Sequence, residues 1–474
     1  MAHALLHKNW VWVATSILIV LVALFLSINV IPSSEVRPRG GAEDVLALPD
    51  RVSAGELNVL FVLIDTLRAD HLGTYGYERP TSPTLDYFTG RGVRFDRHLS
   101  QSSWTKSSMA SLWTALNPVS TGITRYEHGL PDEAQMPAEI FRDAGFQTVG
   151  LFRNGWVAPR FGFGQGFEVY TRPTGTRIDA ELRRDNPTLR VGGSDADAID
   201  VAVEFIRNAE RDRPWFLYVH LMDVHEYTYS EETALFGSSH VDLYDNSIRW
   251  VDSVMNHLLS FLAESGELDH TLIVLTSDHG EAFRERGIEG HARAVYRETT
   301  IVPFMIFFPF TLDPGVTIDV HTSGVDVWPT ILDLLGLPAL GSGEGVSRKP
   351  EILAALRGDG PASEPGPAYA FLDQRWGQPP SENLFLTVAV VDGRHRYVLT
   401  QEGGAGTKRE LFDSVADPAE RHNIASEEPD VAERMDELAQ GLLEQTSIWS
   451  SGVEQLQLDE LELNQLRALG YEIP

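Results

Sequence analysis

The chain contains no cysteine, which excludes disulfides, thiolate nucleophiles and Cys-based metal centres. It is also short of positive charge. Only 38 Lys and Arg stand against 68 Asp and Glu, a formal net charge of −30. Such a surface repels nucleic acid and anionic lipid headgroups at long range, so nucleic acid is excluded as an expected partner. An anionic substrate would need a locally positive site to overcome that field. No internal repeat is found. One stretch alone, Trp10–Ile31, is uncharged and apolar for long enough to span a bilayer, with Trp10 and Trp12 as interfacial anchors. It is too long for a signal-peptide core and no small-x-small site follows, so an uncleaved anchor is expected. Arg37 and Arg39 offset Lys8 and the amino terminus, and charge alone does not orient it.

What is present is an ordinary globular composition, 43% hydrophobic and 22% charged over 474 residues, enough for one large α/β domain and a smaller one. Short apolar runs recur without alternation at Asn58–Ile64, Gln147–Phe152, Trp215–Leu221, Leu272–Thr276 and Val302–Phe308. They read as strands buried on both faces, interleaved with helical segments: an α/β, doubly wound sheet. Several end in polar residues where ligands collect in such sheets. Asp65 follows the first, Asp223 and His225 the third, and Asp278, His279 and Gly280 the fourth. A carboxylate and an imidazole at a tight turn read as a metal or catalytic corner.

Around these strands the expected organisation is a tail and anchor (1–31), a Pro/Gly/Ser-rich tether (32–56), a catalytic domain (57–345), a linker (346–367) and a C-terminal α+β subdomain (368–474). In the last, Asp392-Gly393 marks a hairpin, and Val431, Met435, Leu438 and Leu442 line one face of a helix. Thr105 opens the helical segment running to Leu116. It reads either as a helix cap or as a hydroxyl placed where free N–H groups favour an anion.

The stretches IDTLRADHLGTYGY (Ile64–Tyr77), SPTLDYFTGRGVRF (Ser82–Phe95), SSWTKSSMASLWTAL (Ser102–Leu116) and FLYVHLMDVH (Phe216–His225) occur in that order. SDHGE (Ser277–Glu281), VDVWPTILDLLGLP (Val325–Pro338), ELFDSVADPAERHNIA (Glu410–Ala425) and LRALGY (Leu466–Tyr471) follow. In order and spacing the chain resembles the sulfatase family of the alkaline phosphatase superfamily, from about Leu57 onward. The resemblance implies a mixed, doubly wound sheet with a smaller C-terminal subdomain. It makes Asp65, Asp278, His279 and Thr105 metal ligands, with Thr105 also the nucleophile. His225 and His291 take the places that bind the transferred group and assist the leaving group.

Two features depart from the family pattern. Thr105 stands where a Cys or Ser would be oxidised to formylglycine, with Met109 at the arginine position. Thr66 stands where many sulfatases carry another Asp. Threonine cannot become formylglycine, so the resemblance points to phosphate or phosphonate ester hydrolysis, with sulfate esters as a side activity. A phosphoethanolamine- or phosphoglycerol-type transferase acting on lipid or glycan is the alternative enzyme, and a catalytically degenerate binding module the non-enzyme. Lys106, Arg153 and Asn154 are candidates to bind the anion in place of the arginine that Met109 replaces. The ligand set suits one divalent ion, Mn²⁺ or Zn²⁺ over Ca²⁺ or Mg²⁺. The partners expected are an anionic ester (small molecule, glycan or lipid headgroup) and the membrane through the N-terminal helix. As in the family, the catalytic domain is expected outside the cytoplasm.

Overall fold

The computed structural model describes residues 37–173, 193–362, 365–378, 385–403 and 406–467. The chain divides between Arg39 and Gly40, and nearly everything described belongs to the second unit. Among the described residues no helix is long and apolar enough to cross a membrane. The anchor expected over Trp10–Ile31 lies outside them, as does most of the LRALGY tail.

The expected apolar runs are strands of one eight-stranded sheet. In chain order these are β1 (Asn58–Ile64), β2 (Val93–Leu99), β3 (Gln147–Leu151), β4 (Val169–Thr171), β5 (Trp215–Leu221), β6 (Thr271–Thr276), β7 (Ile301–Phe307) and β8 (Val316–Ser323). Their spatial order is β8-β2-β7-β6-β1-β5-β3-β4. β1 lies at the centre, parallel to β5 and β6. β7 alone runs against its neighbours, β6 and β2. The sheet is therefore mixed.

Because side chains alternate along a strand, the two faces carry different cores. Val59, Phe61 and Leu63 join Phe216 and Tyr218 of β5 and Leu272 and Val274 of β6 on one face. Leu60, Val62 and Ile64 join Leu217, Val219, Ile273 and Leu275 on the other. The first face is covered by α1 (Thr105–Thr114), through Met109, Ala110, Leu112 and Trp113. The second is covered by α2 (Asp195–Asn208) and α3 (His240–Ser265). Continuing each strand by the same alternation carries Asp65, His220 and Asp278 onto the face that holds α1.

β9 (Ala368–Asp373), β10 (Phe385–Asp392), β11 (His395–Glu402) and β12 (Thr407–Asp413) form an antiparallel four-stranded layer. Its expected hairpin turns at Asp392-Gly393, with Gly393 at φ +60°. Val388 and Val390 face the helix Pro429–Leu443, whereas Ala389 and Val391 face the main core.

Two expectations need correction. Within the tether expected over 32–56, Ala42–Leu46 and Leu48–Ser53 are helices, and Val45 and Leu48 are fully buried in the main core. Within the linker expected over 346–367, Lys349–Arg357 is a helix that buries Ile352. In both, Pro, Gly and Ser hide a few apolar residues at helical spacing.

Candidate active site

Strand register assembles the site. Leu63 pairs with Thr276, so two residues on, Asp65 stands abreast of Asp278. Ligand atoms of Asp65, Asp278 and His279 lie within 4.8 Å of one another, and all three residues are buried. Each carboxylate commits one oxygen to the protein. Asp65 Oδ2 accepts from Asn154 Nδ2 at 2.7 Å and pairs with His220 Nε2 at 3.1 Å. Asp278 Oδ1 accepts from the backbone N–H of Thr66 at 3.2 Å and of His279 at 3.0 Å. The other oxygens, Asp65 Oδ1 and Asp278 Oδ2, are buried and accept no hydrogen bond among the described residues.

His279 completes the set. Its Nδ1 donates to Gly280 O at 3.0 Å, which assigns the proton to Nδ1 and leaves a lone pair on Nε2. Nε2 lies 3.3 Å from Asp278 Oδ2 and 3.9 Å from Asp65 Oδ1. Two bare carboxylate oxygens thus converge with the Nε2 lone pair in a buried space, and carboxylate oxygens left so without donors are costly without a cation. The same crowding acts on the two acids. Burial alone would raise the Asp65 carboxyl, but the His220 hydrogen bond and the neighbouring imidazoles hold it well below the usual range. Burial and the charge of Asp65 push Asp278 up. Two carboxylates and an imidazole fit a divalent ion.

Thr66, where a further acid stands in many sulfatases, does something else here. At φ +60° it is a β-branched residue in the left-handed region, a strained conformation. That turn aims its N–H at Asp278, and its hydroxyl returns to Asp65 O at 2.7 Å.

Thr105 is the first residue of α1, and the cap position belongs to Trp104. Its hydroxyl is therefore not used in capping. Oγ1 lies 3.1 Å from His279 Nε2, to which it donates, and accepts from Asn154 Nδ2 at 3.3 Å. Ser108, one turn into the helix, and Ser100 both donate to Asp278 O, tying the helix start to the loop after β6. Met109 packs in the core.

His225 and His291 lie beside this cluster. Their ring centroids are 5.0 Å apart, and His291 stacks on His279 at 4.5 Å. His291 Nδ1 is 2.8 Å from Glu281 Oε2. Burial opposes a charge on the His291 ring, but the Glu281 carboxylate outweighs it and raises the pKa. His225 is pushed down to about 4 by burial. One imidazole is thus favoured as the cation and the other as the neutral ring.

Of the three residues expected to contact an anion, Asn154 alone reaches the cluster. Lys106 is buried, donates Nζ to Tyr126 O at 2.8 Å and sits 3.7 Å over the Phe161 ring. Burial pushes its amine well below its ordinary value. Arg153 is claimed by Asp195, by Asp223 at 2.5 Å and by Glu226 at 3.0 Å. These carboxylates outweigh burial and keep it charged. Its role is to join the loops after β3 and β5 to the start of α2. Two contributors were not foreseen as site residues: His220, inside the apolar run of β5, and Glu281. For His220 the one signal was its spacing of two from Tyr218, whose hydroxyl meets its Nδ1 at 2.9 Å.

The profile of the Sulfatase family matches residues 57–337. The chain is 23% identical to arylsulfatase K of Danio rerio, over 83% of this chain and 85% of that protein. Among solved structures, the phosphonate monoester hydrolase of Agrobacterium radiobacter superposes with a TM-score of 0.66 at 18% identity, over 85% of this chain and 100% of that one. BT4656 in complex with its substrate D-glucosamine-2-N,6-O-disulfate superposes with a TM-score of 0.64 at 17% identity, over 82% and 98%.

Proposed function

The chain belongs to the sulfatase family, and from that premise we propose that it is a metal-dependent hydrolase of phosphate or phosphonate esters with Thr105 as nucleophile. The observation that carries this reading is the Thr105 hydroxyl, uncapped at a buried helix start and 3.1 Å from a candidate metal-ligand nitrogen. A formylglycine requires a Cβ that can become an aldehyde; the methyl on the threonine Cβ bars it, and no cysteine is present.

Asp65, Asp278 and His279 would hold the ion, with Thr105 beside it; Mn²⁺ or Zn²⁺ suits these donors. When bound, the ion supplies positive charge for a nonbridging oxygen of the ester and lowers the cost of ionising a hydroxyl. Thr105, ionised by loss of its hydroxyl proton to solvent, attacks phosphorus in line through Oγ1, and the new Oγ1–P bond forms as the ester P–O bond breaks. Asn154 Nδ2 steadies Oγ1. His291, whose protonated form Glu281 favours, gives its proton to the departing oxygen. Water then attacks phosphorus, giving a proton back to His291, and the Oγ1–P bond breaks, with Thr105 Oγ1 taking up a proton from solvent. A second reading, hydrolysis of sulfate esters with the same hydroxyl, draws support from relatives named as arylsulfatases.

The test is turnover of p-nitrophenyl phosphate, p-nitrophenyl phenylphosphonate and p-nitrophenyl sulfate by the full chain loaded with Mn²⁺ or Zn²⁺. Turnover of the phosphorus esters is expected, with Thr105→Ala slowing it by about 10³-fold or more and Thr105→Ser retaining appreciable activity. Asp278→Ala should lose metal and activity together while the far-UV dichroism is kept. Turnover of sulfate alone would favour the second reading, and transfer to added glycerol in place of water would favour a transferase. Parental activity in Thr105→Ala would end the nucleophile assignment.

A further inference from the structure

The segment from Gly290 to Thr300, which carries His291, is held from two sides. Toward the main sheet, Ala292 N donates to Ser103 O at 2.7 Å, just ahead of Thr105, and Gly280 N donates to Thr299 O at 2.9 Å, just after His279. On the other side it meets the four-stranded layer. Arg396 of β11 is 1% exposed and donates Nη2 to Val295 O at 2.6 Å and to Thr300 Oγ1. Its Nε lies 3.3 Å from Glu420 Oε1. Glu420 Oε2 accepts from Arg297 N at 3.3 Å. Arg286 closes the ring, donating Nη1 to Glu420 O at 2.6 Å and Nε to Glu298 Oε1 at 3.0 Å.

Two features say this ring has a use beyond cohesion. Glu420 is a non-glycine residue at φ +51°, and such strain is kept where the surroundings demand that geometry. A buried ion pair is also a poor source of stability, since desolvation offsets most of its attraction. What it does supply is register: the charges meet only when both backbones are in place. Here the backbone being registered is the one that delivers His291.

We propose that Arg396 and Glu420 are positioning residues for the proton transfer, setting the place of His291 by holding Val295, Arg297 and Thr300 from the C-terminal layer. The inference rests on the reading of His291 as the group that protonates the departing oxygen. The C-terminal layer then belongs to the catalytic apparatus as a backing plate.

The experiment uses Arg396→Met, Glu420→Gln and Arg396→Lys in the full chain with two phosphonate monoesters that differ only in the leaving group, one methoxide and one p-nitrophenolate. A misplaced acid matters for the poor leaving group and little for the good one. The expected result is a loss in kcat of about 100-fold on the methyl ester against less than about 5-fold on the nitrophenyl ester. KM and metal content should hardly change, and Arg396→Lys should recover part of the loss. Equal losses on both esters, or none, would overturn the proposal. Amide hydrogen exchange gives a second readout: protection across Ala292–Thr300 should fall in the variants while β1 and β6 stay protected. If Arg396→Met does not fold, Glu420→Gln decides. If the parent hydrolyses neither ester, the function assigned to His291 has failed, and unchanged exchange across Ala292–Thr300 would then overturn the positioning claim separately.

Discussion

Asp65 and Asp278 each anchor one carboxylate oxygen and leave the other bare beside the His279 lone pair. That division of labour makes a ligand set out of three ordinary side chains. The residues that do the anchoring matter as much as the ligands, because a carboxylate free to rotate would lose the convergence. The same logic governs His291, whose charge is favoured above all by Glu281, with Asp65 and Asp278 adding to it. Its pKa is raised above the ordinary 6.5 by Glu281, so the acid form is present below that raised value and is lost as pH rises through it. Glu281→Gln removes the strongest of the charges that favour the imidazolium, which lowers the pKa. The alkaline limb of kcat/KM for an alkyl ester should therefore move to lower pH in this variant, with the metal content unchanged. A pH–rate profile that superposes on the parent's would show that the Glu281–His291 pair does not control the proton.

The elements meet at the loop after β6. Gly280 has no room for a side chain. A Cβ there would lie 2.3 Å from Glu298 O and 3.1 Å from Arg68 Cγ, so two backbones would have to part. Gly280→Ala is expected to destabilise the fold by about 1–3 kcal/mol and to lower kcat by displacing His279 from Thr105. Thermal unfolding together with kinetics checks this; an unchanged Tm and kcat would mean that the loop has slack. The helix α1 has the opposite character. All of its residues from Thr105 to Thr114 are buried, and Ser108 ties it to Asp278 O at 2.5 Å. Its start is thus fixed against the ligand loop by packing and by hydrogen bonds, which suits a hydroxyl that must not wander.

The whole molecule carries a net charge of −30, and its proposed substrates are anions. Long-range repulsion should slow their encounter, and added salt should screen it. For an anionic ester, kcat/KM is therefore expected to rise as KCl goes from low to moderate concentration, with kcat nearly constant. A fall in kcat/KM with salt would reveal a positive funnel over the site that outweighs the net charge. The four-stranded layer bears on function at this scale too, because the segment carrying His291 lies between it and the main sheet.

Local sequence determined a good deal. The unbroken apolar runs at Asn58–Ile64, Trp215–Leu221 and Thr271–Thr276 are strands because such runs are stable only when covered on both faces, and the polar residues that end them could only emerge at the sheet edge. Asp65, Asp278 and His279 were legible for that reason, as was a helix starting at Thr105. Tertiary structure decided the rest. His220 looks like one more residue of a buried strand until the register sets it beside Asp65. Lys106 and Arg153 look like anion contacts until Tyr126, Asp195 and Asp223 accept their hydrogen bonds. Val45, Leu48 and Ile352 are hidden in stretches that read as tether and linker. Periodicity and turn chemistry act over a few residues and are written locally. Charge partners and the abutment of distant strands depend on segments far apart in sequence, and only the register and packing of the folded chain select among them.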